Sequence, residues 1–375
     1  KESTKREGGE RAMSSSASCE GLSQHPERNW AWRLRSRPKG MLSQENFQWC
    51  DEDIPQCHQE GDVLVRTLYV SLDPSSRVWT NAEASYLPPV ELGDVMRGES
   101  VGVVEQSLNS RFKEGDLVAG ASAGWCTYKL IPKGAGLHRL PSPAESGIPS
   151  EAYVGFLNFI GATAYFGLLD ITDPKEGETL VVDAAAGAVG SLVGQIGKIK
   201  GMRVIGICGS EDKCRWITEE LGFDGAINYR TENVRKSLGV LCPDGVDVVF
   251  ENVGGTIFDD ILAHINIGAR ISLCGLISSY NSTKPVPGPY RFGQILVKRA
   301  TVKGFIVLDY VPRFAEAMRD LSQWLKEGKI KYRVDVVRGL ENAPSALNRL
   351  FSGENQGKLC VQVTQDSSCS PTAKL

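Results

Sequence analysis

Histidine is scarce in this chain of 375 residues: His25, His58, His138 and His264 are all there are, and no two are neighbours. The ten cysteines stand at 19, 50, 57, 126, 208, 214, 242, 274, 360 and 369, without a Cys-x-x-Cys among them. Zinc sites draw on Cys and His at short spacings, so the sequence offers no metal site. A disulfide scaffold is shorter and denser in cysteine, which leaves reduced thiols and a cytoplasmic location as the expectation. An excess of one charge is missing too. The formal net charge of −3 supplies no basic footprint for nucleic acid. No uninterrupted apolar run approaches the roughly 18 residues of a membrane span. The best stretch, Leu180 to Ile199, is broken by Asp183, Lys198 and several glycines.

Two catalytic signatures are also wanting. No G-x-x-x-x-G-K-[ST] loop exists for phosphoryl transfer. Gly120-Ala-Ser-Ala-Gly124 matches the G-x-S-x-G elbow of serine hydrolases, but that elbow must open a helix. Here Trp125-Cys-Thr-Tyr-Lys-Leu-Ile131 follows and alternates like a strand, so a serine nucleophile is not expected. Residues 1–28 lack the apolar core of a secretory signal and read as a disordered tail, with Met13 a candidate start. Residues 366–375 read as a flexible tail. They end in Ala373-Lys374-Leu375, a variant of a peroxisomal address that an ordinary polar terminus explains equally well.

Between these ends the chain is long enough for two or three domains. From Trp30 to about Ser150 the pattern is one of short strands, among them Val63–Leu72, Val101–Val104 and Leu117–Ala119. From about Gly155 it changes to strand–helix alternation. Six apolar strands are expected, near Leu180–Asp183, Arg203–Ile207, Ala226–Asn228, Asp247–Phe250, Arg270–Cys274 and Val302–Ile306. Such alternation builds a parallel sheet covered by helices. A helix near 312–327, a strand near 333–337, a helix near 343–351 and a final strand near 358–363 follow. The expectation is an α/β protein in which a doubly wound middle domain, 156–307, sits inside a mostly β domain made of 29–155 and 308–365.

The sharpest local signal is Leu180-Val-Val-Asp-Ala-Ala-Ala-Gly-Ala-Val-Gly190, a strand running into Ala185-x-Gly187-x-x-Gly190 and then a helix. Gly187 lets backbone approach a pyrophosphate, Gly190 lets the helix pack near the strand, and the helix N-terminus offers free N–H groups. The turn thus predicts dinucleotide binding, although any tight strand–helix connection shares part of it. An NAD site places Asp or Glu at the end of the second strand. Here Gly209-Ser210 stands at that tip and Lys213 follows, with Tyr229 and Arg230 after the third strand. This favours NADP(H), with a solvated first-turn lysine as the plainer reading of Lys213.

Glu176-Gly-Glu-Thr-Leu-Val-Val, Ala184-Ala-Ala-Gly-Ala-Val-Gly, Glu251-Asn-Val-Gly-Gly255, Cys274-Gly-Leu-Ile-Ser-Ser-Tyr-Asn281, Tyr86-Leu-Pro-Pro-Val and Gly339-Leu-Glu-Asn-Ala-Pro occur in that set. Together they resemble zinc-independent medium-chain reductases, and within them the NADPH-dependent curcumin, alkenal and prostaglandin double-bond reductases. The resemblance runs from about Asn29 to Val363. It implies a GroES-like catalytic domain, a Rossmann domain, NADP(H) in the cleft between them, and pairing of two chains through the edge strand near Val302–Ile306. Zinc-dependent relatives carry Gly-His-Glu where Arg97-Gly98-Glu99-Ser100 stands here.

By the same resemblance, Ala185, Gly187, Ala188, Val189 and Gly190 hold the pyrophosphate, and Gly209, Ser210, Lys213 and Tyr229 the adenosine 2′-phosphate side. Asn252, Cys274, Gly275, Ser279, Tyr280, Phe305, Ile306 and Val307 line the nicotinamide side, and Asn355 closes over the phosphates. The implied chemistry is hydride delivery to the β-carbon of an α,β-unsaturated ketone or aldehyde, with protonation at the α-carbon. Tyr280 is the candidate hydrogen-bond donor to the carbonyl oxygen, and Tyr86 the candidate at the substrate mouth. The segment Leu72-Asp-Pro-Ser75-Ser-Arg77 usually reads Asp-Pro-Tyr-Met-Arg, so Ser75 and Arg77 belong to the expected substrate pocket, with Ser75 in place of an aromatic wall. A quinone oxidoreductase and a non-catalytic NADPH-binding protein are the alternative readings.

Overall fold

The computed structural model describes residues 22–83, 85–120 and 124–366. The serine of the G-x-S-x-G match and the tripeptide Ala373-Lys374-Leu375 lie outside them. Six parallel strands form one sheet in the spatial order Gly225–Asn228, Arg203–Cys208, Thr179–Val182, Val246–Glu251, Ile265–Leu273, Thr301–Gly304. Thr179–Val182 is buried along its whole length, as a strand covered by helices on both faces must be. Strand order reverses between Thr179–Val182 and Val246–Glu251, and open α/β sheets bind ligands at the carboxyl ends of strands at such a point.

The second sheet mixes both ends of the chain. Its order is Val334–Arg338, Lys358–Gln362, Val63–Ser71, Ser100–Ser107, Leu117–Gly120, His138–Arg139, with Tyr128–Ile131 also on Val63–Ser71. The pairing of Cys360 with Ser71 is antiparallel and ties the last strand to the first long one. A two-stranded hairpin, Asn29–Leu34 with Phe47–Glu52, is pinned by the stacked rings of Trp30 and Trp49.

Helix Phe159–Thr172 joins the two regions. It is apolar on nearly every side, with only Asp170 turned to solvent, and Ala162, Phe166 and Leu168 lose all contact with solvent. A helix buried on nearly every side shows no amphipathic stripe, so periodicity gives little sign of it. Helix Phe314–Lys326 packs on it through Leu321 and through hydrogen bonds from Tyr165 to Asp320 (2.7 Å) and Glu316. The boundary expected at 307/308 therefore separates elements that pack together.

Two further expectations are corrected. The sixth strand ends at Gly304, so Phe305 and Ile306 leave the sheet, and they do so to face the cleft. Residues 22–28, assigned to a disordered tail on composition, are held by long-range hydrogen bonds. Tyr128 Oη donates to the Pro26 carbonyl, Gln365 N to the Ser23 carbonyl, and Arg28 pairs with Asp51. Asp366, assigned to the other tail, is buried. No described helix is long and apolar enough to cross a membrane.

Candidate active site in the cleft between the sheets

The strand Thr179–Val182 ends at Asp183, and Ala184 follows with φ 45°, a left-handed conformation that costs energy in a residue with a Cβ. The strained turn delivers Gly187 to the N-cap of helix Ala188–Ile199, where no side chain caps the free N–H groups. A Cβ on Gly190 would lie 2.5 Å from the Ala184 carbonyl, so only glycine lets the helix start this close to the strand. Gly187, Ala188, Val189 and Gly190 all face the cleft. Ala185 does not. Its N–H bonds the Ile207 carbonyl at 3.0 Å and its methyl is buried against the second strand at Gly206. The expectation that Ala185 touches phosphate is corrected on that ground.

From the other domain, Gly357 forms a parallel bridge with Gly187, and its N–H reaches the Ala186 carbonyl. Gly357 has φ 70°, and a Cβ there would collide with the Arg333 carbonyl. Asn355, buried beside it, donates to the Gly357 carbonyl at 2.9 Å and lines the cleft over the glycine turn.

At the adenosine end, Gly209, Lys213 and Tyr229 line the cleft. A Cβ on Gly209 would lie 2.8 Å from the Tyr229 hydroxyl, so the glycine makes room for the ring. Lys213 Nζ donates to the Gly353 carbonyl (2.8 Å), and no carboxylate lies within ion-pair distance of it among the described residues. Burial lowers its pKa, as it does for a cation lacking a counter-ion. Glu211 is drawn away by the Asn228 side chain at 2.6 Å. Ser210, expected on the phosphate, instead caps its own helix, accepting from Lys213 N, and does not line the cleft.

At the switch point, two buried carboxyls meet. Asp183 Oδ1 accepts from Asn252 N (2.7 Å), and Glu251 Oε1 accepts from Val253 N (2.7 Å) and Gly254 N (2.5 Å). Burial, then the neighbouring Asp183, pushes the Glu251 carboxyl well above its ordinary range. Their role is architectural: they fix the backbone that presents Asn252 to the cleft, whose Nδ2 donates to the Asp183 carbonyl at 3.1 Å.

Cys274, Gly275, Tyr280, Phe305, Ile306 and Val307 form the wall beyond. The Tyr280 hydroxyl accepts from Leu276 N at 3.2 Å, which leaves its proton free to donate. Burial raises its pKa, so it stays a phenol at neutral pH. A Cβ on Gly275 would sit 3.1 Å from that hydroxyl. Ser279 is half-buried, donates to the Leu276 carbonyl at 2.7 Å and closes the turn instead of lining the cleft, which corrects its expected role.

On the opposite wall, Tyr86 has its hydroxyl within hydrogen-bonding reach of Ser75 and faces Trp79, with the Arg97 guanidinium 5.4 Å from the Trp79 ring. Ser75 and Tyr86 both line the cleft; Arg77 does not. Its side chain is buried in hydrogen bonds to the Gly40 carbonyl, Asn81 Oδ1 and Asn281 Oδ1, so it is a clamp between loops, and its placement in the substrate pocket is corrected.

Three residues that the sequence did not single out complete the floor: Asp73, Glu99 and Lys358. Lys358 Nζ contacts Asp73 Oδ1 (2.6 Å) and the Leu72 carbonyl (2.9 Å). Burial, then Asp73, pushes the Glu99 carboxyl up to about 8. The only signal was the Gly98-Glu99 pair, set aside because its histidine is missing.

The cleft encloses about 1040 Å³ and holds walls from both sheets. It suits an extended phosphorylated dinucleotide: uncapped helix N–H groups and two glycines at one place, an unpaired lysine at the end, and a phenol donor at the other. Among the described residues no group of three His, Cys, Asp or Glu converges.

Comparison with known proteins finds dehydrogenases and reductases. A family model described as the N-terminal domain of oxidoreductase matches residues 30–140, and one described as zinc-binding dehydrogenase matches residues 188–326. The chain is 45% identical over 350 residues to the NADPH-dependent curcumin reductase of Escherichia coli, covering 92% of this chain and all of that one. It is 38% identical to prostaglandin reductase 1 of Rattus norvegicus, covering 88% of this chain and 98% of the relative. The crystal structure of CurA from Vibrio vulnificus in complex with NADPH superposes with a TM-score of 0.84 at 44% identity, covering 90% of this chain and all of that one.

Proposed function

We propose that this chain, which belongs to the medium-chain dehydrogenase/reductase family alongside the curcumin and prostaglandin reductases, uses NADPH to reduce the carbon–carbon double bond of α,β-unsaturated ketones and aldehydes. The observation that carries the reading is the facing of the glycine turn and the free Tyr280 proton across one cleft. NADPH, when bound, supplies the hydride that goes to the β-carbon. Gly187 to Gly190 and Lys213 hold its phosphates, and Asn252 and Phe305 to Val307 wall its reactive ring. Negative charge collects on the substrate carbonyl oxygen as the hydride arrives, and Tyr280 donates a hydrogen bond to it. A preplaced donor of this kind is worth about 10²–10³ in rate. The proton that completes the product is taken up at the α-carbon. Ser75 with Tyr86 and Trp79 bounds the space for the substrate tail.

Consumption of NADPH with a 2-alkenal, an alkyl enone, curcumin, a quinone and a saturated aldehyde, with NADH in parallel, tests the reading. Enone turnover with NADPH preferred supports it. Turnover of the quinone alone replaces it with a quinone oxidoreductase, and binding without any turnover leaves an NADPH-binding protein.

We also propose that two chains pair through the edge of the parallel sheet. Thr301–Gly304 is exposed at every residue, and the adjoining Tyr290, Phe292, Leu296 and Val297 leave an apolar patch open to solvent. Bare strand edges beside apolar surface are places where chains associate. The free state of the eight described cysteines supports a cytoplasmic location.

A further inference from the structure

The thiols of Cys208 and Cys214 lie 3.7 Å apart, sulfur to sulfur, and nothing in the reductase chemistry uses them. Cys208 ends the second strand of the parallel sheet and lines the cleft; Cys214 sits on the short helix Glu211–Arg215 and is partly open to solvent. Between them run Gly209, Ser210 and Lys213, the turn that faces the adenosine end of the cleft. We propose that Cys208 and Cys214 form a reversible disulfide in the presence of a peroxide, and that this modification loosens the hold on the 2′-phosphate of NADPH. The second half of the proposal rests on the NADPH reading above; the first half does not.

The two sulfurs are unequal. Cys208 is buried whereas Cys214 is partly open to solvent, so Cys214 is the sulfur that meets the peroxide, and its contact with Cys208 lowers the Cys214 pKa and raises that of Cys208. Its thiolate attacks one peroxide oxygen, the O–O bond breaks, and a sulfenic acid forms as the other oxygen leaves with a proton as water or alcohol. The Cys208 sulfur then attacks the Cys214 sulfur, the S–OH bond breaks, and the Cys208 proton departs with that hydroxyl as water. The two sulfurs lose two electrons in all and the peroxide gains them.

Bonded sulfurs stand about 2.05 Å apart, so the pair must close by well over an ångström. The strand side has little freedom to move. Asn228 is in register with Cys208, and Tyr229 N bonds the Cys208 carbonyl at 3.0 Å. The turn has no slack either, since the Tyr229 hydroxyl already occupies the space where a Gly209 side chain would go. The movement therefore falls on the five-residue helix, where Ser210 Oγ holds Lys213 N and Lys213 Nζ holds the Gly353 carbonyl. Drawing Cys214 toward the strand pulls Lys213 off its seat.

The test exposes the reduced full-length protein to hydrogen peroxide with and without NADPH, then digests it with trypsin under non-reducing conditions. Cleavage after Lys213 separates the two cysteines, so the disulfide appears as peptide 204–213 joined to peptide 214–215. NADPH affinity is read in parallel by quenching of protein fluorescence. The expected result is the joined peptide, its suppression by NADPH, which holds Lys213 in its seat against closure, and affinity weakened about tenfold, the loss of one charge-assisted contact. Dithiothreitol restores both readouts, and Cys214→Ser shows neither change. A Cys214 that oxidises to sulfinic acid without the joined peptide overturns the disulfide, and a joined peptide with unchanged NADPH affinity overturns its effect on binding. Reduced protein that binds no NADPH at all refutes the reductase reading and the effect on binding, while the peptide map still decides the disulfide.

Discussion

Tyr280 shows how surroundings leave a single residue fitted to the donor role proposed for it. A phenol whose oxygen already accepts a backbone N–H, and whose ionisation is opposed by burial, is left with one thing to offer, its proton. Tyr280→Phe is expected to lower kcat on an alkyl enone about 10²-fold while leaving NADPH affinity nearly unchanged, as single-turnover kinetics and fluorescence titration would show. A loss of affinity equal to the loss of rate would make Tyr280 a packing residue. Ser75 is the residue-scale departure with the opposite logic. The Tyr86 hydroxyl already reaches it, so Ser75→Tyr puts a second phenol into occupied space. KM is expected to rise more for curcumin-sized enones than for short alkenals; an equal rise for both classes would take Ser75 out of the substrate pocket.

Among the strands of the parallel sheet, Thr301–Gly304 is the one exposed at every residue. It pairs with Ile265–Leu273 on one side only, and its other edge offers free backbone groups beside Leu296. Charges on an edge are the common device that keeps strands apart. Replacing both Leu296 and Val302 by lysine is expected to convert a dimer to a monomer in sedimentation velocity, without loss of the folded circular dichroism signal. The edge was legible as a strand, yet its extent was misread. Val302 to Ile306 reads as one strand-like segment interrupted only by Lys303, and local alternation carries no mark of the point at which a chain leaves its sheet to wall a cleft. Helix Phe159–Thr172 was obscure for the reverse reason, since burial on nearly all faces erases the stripe by which a helix is recognised.

At the scale of the whole molecule the cleft has a floor made of Asp73, Glu99 and Lys358, which three separate segments of the second sheet contribute. The Glu99 carboxyl titrates in the folded protein at about 8, against an ordinary 4.5. The folded state therefore holds this proton where the unfolded chain has released it, and stability from this group falls as pH rises between those values. Glu99→Gln keeps the shape without the charge. Its melting temperature is expected to match the parent near pH 4.5 and to exceed it by at least about 2 °C at pH 8.5. A constant difference across that range would mean that Glu99 does not titrate there.

By itself the sequence determined the order of the elements, the strand, glycine turn and helix that receive a dinucleotide, and the absence of a carboxylate at the tip where Lys213 stands. These are properties of neighbouring residues: alternation, helical spacing and the steric freedom of glycine act within a few positions. Which side chains enter the cleft was decided only by the tertiary structure. Arg77, Ala185, Ser210 and Ser279 lie beside true cleft residues in sequence, yet each turns to satisfy a backbone or fill a core. Lys358 and Gly357 reach the site from far along the chain, because the last strand pairs with Val63–Ser71. A side chain's facing depends on which distant surface arrives to cover it, and local periodicity carries no record of that arrival.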